Sequence, residues 1–388
     1  MRIVVAPDKF KGSLPAAEVA AAVAAGLHAV AGDAEILAMP VADGGDGTVD
    51  AAVAAGFERV PVTAAGPDGE PVRASYARRG DVAVVELACV CGLALLPAGR
   101  RAPLTASSFG AGEVLRTALD AGARQVVLGV GGSASTDGGA GMLAALGARV
   151  LGADGEPVGR EVAGREVAGG ADLELVAALD VAGLHPAFRS GAASLTLAAD
   201  VDNPLTGLDG AAAVYGPQKG ASPAEVARLD AGLRRWAAVV AAAVGKDWSA
   251  APGAGAAGGV GFAAMAVLGA RMQPGIELVI ELTGLEARLA GADLVITGEG
   301  SLDGQSLAGK APVGVARAAA RHGVPVVAVA GRNTLTGAEL AVAGIAAVYP
   351  LTAIEPDLER CQAEAAALLY QVGQMIARDR LAEAVGRA

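Results

Sequence analysis

Four short polar stretches carry residue types suited to handling phosphate. In Asp8-Lys9-Phe10-Lys11-Gly12-Ser13, two lysines and a serine follow an apolar run and precede an alanine-rich one. A strand-to-helix turn there would turn backbone N–H groups and a helix dipole toward an anion, with Lys9, Lys11 and Ser13 beside it. Asp43-Gly44-Gly45-Asp46-Gly47-Thr48 sets two carboxylates three apart on a glycine-rich turn. That pattern suits Mg2+, which prefers oxygen ligands, or a base for a hydroxyl proton. The third stretch, residues 129–139, packs Gly131, Gly132, Ser133 and Asp137 into a run of glycines and hydroxyls. Backbone amides in such a run can approach phosphate oxygens closely. In the fourth, residues 297–310, Glu299 and Asp303 could meet metal or substrate, and Lys310 could meet a phosphate at a helix start. An ordinary capped turn would use many of the same residues.

Some better-known motifs are absent. Residues 129–134 match Gly-x-Gly-x-x-Ala, but no acidic residue after a following strand completes a dinucleotide fingerprint; residues 253–258 match Gly-x-Gly-x-x-Gly but follow a proline. Residues 304–310 read Gly-x4-Gly-Lys, yet Ala311 stands where a Walker site needs Ser or Thr. His28, His185, His322, Cys89, Cys91 and Cys361 all lie outside the four stretches, which disfavours nucleophilic catalysis through His or Cys. Asp, Lys, Ser and Gly remain, the residue set of phosphoryl transfer. Among 30 basic residues only five are lysine, and of these Lys9, Lys11 and Lys310 fall inside the stretches. Lysine is a compact point charge that fits beside one phosphate oxygen.

The elements that must position these loops follow from periodicity. Apolar runs at 3–6 and 36–41 alternate with helical patterns at 15–30 and 48–55, and the last hundred residues repeat the style, with strands predicted at 293–297, 325–330 and 345–349. Both ends therefore read as one doubly wound (Rossmann/flavodoxin-like) parallel-sheet α/β domain, residues 1–57 and 290–388. Runs at 60–62, 72–77 and 82–87, separated by turns, read as hairpins before further strands at 126–130 and 195–199. Residues 58–289 are thus expected to form a second, mixed α/β domain inserted into the first, with the active site in the cleft between them.

The chain has 388 residues and a net charge of −11, which argues against nucleic acid and anionic membranes as partners. Its 53% hydrophobic content is rich in alanine and contains no apolar run near the roughly 20 residues that span a bilayer. The N-terminus lacks the regions of a signal peptide, and three cysteines without metal spacing suit reduced thiols in a cytoplasm.

Taken in order, the first, second, third and fourth stretches, Tyr215-Gly216-Pro217-Gln218-Lys219-Gly220 and residues 252–259 resemble the bacterial type 1 glycerate kinases (glycerate 2-kinase group) over nearly the whole chain. The resemblance implies ATP-dependent phosphorylation of D-glycerate with Mg2+, at the 2-hydroxyl; a related hydroxy acid as substrate, or 3-phosphoglycerate as product, is the alternative. A non-catalytic binder of nucleotide or sugar acid is the rival from another class. On the kinase reading, catalytic roles are expected among Lys11, Asp43, Asp46 and Asp137, and substrate or nucleotide contacts from Lys9, Ser13, Gly44, Gly45, Gly131, Gly132, Ser133, Lys219, Glu299 and Lys310. Asp200 or Asp303 would hold metal. Ser301 stands where many members carry arginine. Homo-oligomerisation is left open.

Overall fold

Along residues 2–7 successive side chains point to opposite faces, and both faces are apolar. The computed structural model, which describes residues 1–97 and 99–381, shows the consequence. Ile3 and Val5 enter one buried cluster together with Leu294, Ile296, Val327 and Val329. Val4 and Ala6 enter another with Val295, Val326, Ala328 and Ala330. A sheet buried on both faces needs helices on both. Helices Ala16–His28 and Ala365–Ile376 cover the first face. Gly275–Thr283, Ala311–Arg321 and Gly337–Val342 cover the second.

The five strands of this sheet run parallel in the order Ala347–Pro350, Val326–Asn333, Leu294–Leu302, Arg2–Pro7, Glu35–Ala38. Numbered along the chain within this sheet, that is the order 2-1-3-4-5, the flavodoxin-like form of a doubly wound sheet. Its direction reverses between Arg2–Pro7 and Leu294–Leu302, so the crevice at the carboxyl ends of those two strands is where such folds bind ligands.

The chain divides into two compact units, Met1–Asp43 with Asp50–Gly56 and residues from Pro274 onward, and Gly44–Val49 with Phe57–Gln273. The return to the first unit comes at 273/274, where the sequence suggested 289/290. Gly275–Thr283 accounts for the difference, because it buries Ile276, Val279 and Ile280 in the core that also holds Val313 and Val315. The short run Gly44–Val49 belongs to the second unit.

The second unit has a six-stranded mixed sheet. Arg271–Gln273, Ser194–Ala198, Gln125–Gly129 and Val82–Glu86 lie parallel, and Pro71–Arg79 and Glu58–Ala65 extend it antiparallel. Helix Pro223–Val244 starts on a capping box, Ser222 with Glu225, and ends at Gly245 in the left-handed region. It buries Trp236, whose Nε1 donates to the carbonyl of Gly138 at 2.9 Å. Among the described residues, no helix is long and apolar enough to cross a membrane.

Candidate active site

Asp8 follows the Arg2–Pro7 strand at the switch point, its N–H donating to the Gly298 carbonyl at 2.8 Å. Its side chain is almost wholly covered, at 6% exposure. Burial raises its pKa to about 7, with Asp43 and Glu299 adding to the shift and Lys9 opposing it. Lys9 lies close, its backbone N–H on Asp8 Oδ1 at 2.6 Å and its Nζ at 3.8 Å. Glu299, one residue beyond the partner of Pro7 on the neighbouring strand, is also pushed up by burial, with Asp43 and Asp303 adding and Ser306 and Lys310 opposing. Its buried Oε1 meets no hydrogen-bond partner. Asp8, Asp43 and Glu299 thus form one electrostatically linked set of carboxylates at the carboxyl ends of the central strands.

The remaining candidates of this unit fall around that set with differing tasks. Lys11 is exposed on the turn after Asp8. Ser13 donates its hydroxyl to the Gln362 carbonyl at 2.6 Å, tying the turn to the C-terminal region instead of facing a ligand. Asp303 accepts from Gln305 N at 2.9 Å and Ser301 Oγ at 3.2 Å, so its carboxylate shapes its own loop. Lys310 caps helix Ala311–Arg321 and reaches Gln305 Oε1 at 3.3 Å. Ser301, where arginine was expected, receives one from elsewhere: Arg332 Nε donates to Ser301 Oγ at 3.0 Å.

In the second unit the Gly44–Val49 run lies against the end of the Gln125–Gly129 strand. A Cβ on Gly129 would stand 2.6 Å from the Gly44 carbonyl oxygen, and one on Gly131 2.6 Å from Gly45 Cα. These glycines bring the second and third stretches together by backbone contact. Asp46 is exposed there. Beneath it, Glu86 accepts from Gly47 N at 3.0 Å and Val49 N at 3.2 Å. Burial raises the Glu86 pKa to about 7, with Asp46 adding, while bonds from Val49, Cys89 and Gly47 hold it down.

The rest of the glycine-rich loop is built from within. Asp137 has no exposure and accepts from Ser108 N at 2.7 Å, Ser108 Oγ at 2.8 Å, Gly139 N at 3.2 Å and Gly141 N at 3.3 Å. The structure therefore withdraws it from contact with a substrate and makes it the pillar of the loop. Lys219 is likewise enclosed, its Nζ donating to Ser133 Oγ at 2.9 Å and the Ser135 carbonyl at 2.5 Å. Burial lowers its pKa to about 8, against the pull of Cys91 and Asp137. It positions Ser133 and does not itself open to a ligand. Gly258 and Gly259, in the second glycine-rich motif, pass so close beneath this loop that a Cβ on Gly258 would stand 2.1 Å from the Ser135 carbonyl oxygen. Asp200 is exposed just past the end of Ser194–Ala198.

Among the described residues, no group of three His, Cys, Asp or Glu is placed to hold a metal by itself. Mg2+ in phosphoryl-transfer enzymes needs less, one or two carboxylates with water and substrate phosphates. The unpartnered oxygen of Glu299 beside Asp43 fits that demand. Sequence reading passed over Asp8 and Glu86 as site residues. Asp8 was visible as the first residue of the first stretch, whereas Glu86 closes a strand outside any motif.

One unit is thus a flavodoxin-ordered sheet with linked carboxylates at its switch point, and the second is an α/β unit carrying a glycine- and hydroxyl-rich loop. The chain belongs to the glycerate kinase family, whose family model matches residues 3–381. It is 43% identical to a glycerate kinase of Halalkalibacterium halodurans over 97% of each chain. It is 45% identical to the glycerate 2-kinase of Escherichia coli over 86% of each. A Salmonella typhimurium LT2 structure assigned as glycerate kinase 2 superposes over 100% of both chains with a TM-score of 0.84 at 41% identity.

Proposed function

We propose that the protein transfers the terminal phosphoryl group of ATP to the 2-hydroxyl of D-glycerate, giving 2-phospho-D-glycerate and ADP. Family membership supports the reaction, and the E. coli relative supports the 2-position. The observation that carries the chemistry is Asp8, a buried carboxyl at the switch point with a pKa of about 7. A general base works best when its pKa lies near the operating pH, because it is then both ionised and basic enough to take a proton. Asp8 removes the proton of the attacking hydroxyl, and Lys9 stabilises the ionised form.

Glu299 and Asp43 would hold Mg2+, which when bound neutralises charge on the transferring phosphates. Lys11 and Lys310 supply positive charge to the phosphates or to the glycerate carboxylate. Amides of Gly131, Gly132 and Ser133 are held rigidly enough by Lys219 and Asp137 to receive phosphate oxygens without reorganising.

A coupled assay of ADP release tests the reaction: absence of glycerate-dependent turnover would remove it. Separation of 2- from 3-phosphoglycerate by 31P NMR tests the position, and a 3-phosphate product would overturn that part alone.

A further inference from the structure

Gln125–Gly129 ends at the glycine-rich loop, and around its beginning lies a basin of about 630 Å³ that the reaction does not use. Arg116, Arg124 and Arg165 line it, with His185, Ser190 and a single carboxylate, Asp120. Arg124 gives one N–H to the Ala123 carbonyl at 2.8 Å, and Arg165 one to the Ala144 carbonyl at 2.8 Å. Arg116 Nε stands 3.8 Å from Asp120 Oδ2. A guanidinium carries five N–H donors in a planar fork, the geometry that suits phosphate oxygens. His185 accepts from Ala187 N through Nδ1 at 3.2 Å, which leaves Nε2 as the donor to Asp120 Oδ1 at 3.1 Å. It therefore steadies Asp120, and the remaining N–H groups of the three guanidiniums are the anion ligands.

The opposing charges are smaller. Helices Phe109–Asp120 and Ala140–Ala145 both end at the basin, and each C-terminus contributes about half a negative charge. With Asp120 these sum to roughly two negative charges against three guanidiniums. A local positive surplus persists in a chain whose net charge is −11.

We propose that this basin binds a small phosphate-bearing metabolite and that its occupancy tunes turnover. Both helices lead from the basin to the catalytic loop. Arg116 sits on the helix whose opposite end presents Ser108 to Asp137. Arg165 is bonded to Ala144, in the last turn of the helix whose start presents Gly141 to the same carboxylate. A phosphate that draws these guanidiniums inward pulls on both supports of Asp137.

The test uses the full chain and inorganic phosphate as probe, titrated calorimetrically at low ionic strength. Arg124→Gln with Arg165→Gln should abolish one binding event or weaken it by about tenfold or more. Ser190→Glu, which adds a carboxylate while keeping every arginine, should do the same with an unchanged melting curve. Wild-type isotherms in both variants would overturn the site. In turnover assays at saturating substrates, phosphate should change the wild-type rate about twofold or more while both variants keep the basal rate and do not respond. A response retained after binding is lost would overturn the regulatory role. The kinetic arm rests on the kinase reading above; the binding arm does not, so the two can fail separately.

Discussion

At Asp8, position and protonation are set by the same burial. The carboxyl is raised from 3.8 to about 7 chiefly because it is shielded from water. Turnover should therefore rise with pH as the base ionises, at a midpoint that Mg2+ on the neighbouring Glu299 and Asp43 would draw below that of the metal-free protein, and Asp8→Asn should lower kcat by roughly 10²–10⁴-fold across the profile. A wild-type profile in the variant would exclude Asp8 as base. Stability should move the other way. The folded state binds a proton more tightly than the unfolded chain, so the contribution of Asp8 is fully present below about pH 4 and is lost as pH rises through about 7. Asp8→Asn should accordingly melt higher than wild type at pH 8 and not at pH 4, which calorimetric scans at the two values would check. Glu86, also raised to about 7, differs because it accepts two backbone N–H groups. Both reach the same oxygen, so Glu86→Gln can keep the pair, whereas Glu86→Ala leaves two buried N–H groups unpaired and should cost about 1–3 kcal/mol in denaturant unfolding at pH 7. Sequence reading singled out the loops but could not see the division of labour inside them. Asp137 and Asp43 look alike as aspartates on glycine-rich turns. Only the structure reveals that Asp137 is buried and accepts from Ser108 and the amides of Gly139 and Gly141.

At the level of elements, the parallel sheet was readable because its strands are short runs apolar on both faces, bounded by glycine-bearing turns. The long helix Pro223–Val244 and the helix Ala256–Leu268 were not read, and the second shows why. Ala257, Gly258 and Gly259 all have positive φ, so the helix is broken where it slides under the glycine loop. Local propensity carries no record of that contact. Gly258→Ala should be severely destabilising, by about 3 kcal/mol or more, because a methyl group would meet the Ser135 carbonyl as well as strain the backbone. A melting temperature within a degree of wild type would contradict the described packing.

At the scale of the whole molecule, the second unit borrows six residues from an earlier part of the chain, Gly44–Val49. Residues 57–273 expressed alone would leave Glu86 without the Gly47 and Val49 amides. That fragment should unfold at lower denaturant than residues 44–273, and equal midpoints would show the borrowed run to be dispensable. The other unit faces a longer wait. Its first strand, Arg2–Pro7, takes as a neighbour Leu294–Leu302, about 290 residues later. At about 5–20 residues per second, the ribosome needs roughly 15–60 s to deliver that partner. Through that interval Ile3-Val4-Val5-Ala6 has a bare edge able to pair with any other extended chain. Synthesis of this protein therefore passes through a stage in which a strand buried on both faces of the finished sheet is an adhesive segment, and chaperone capture should act there.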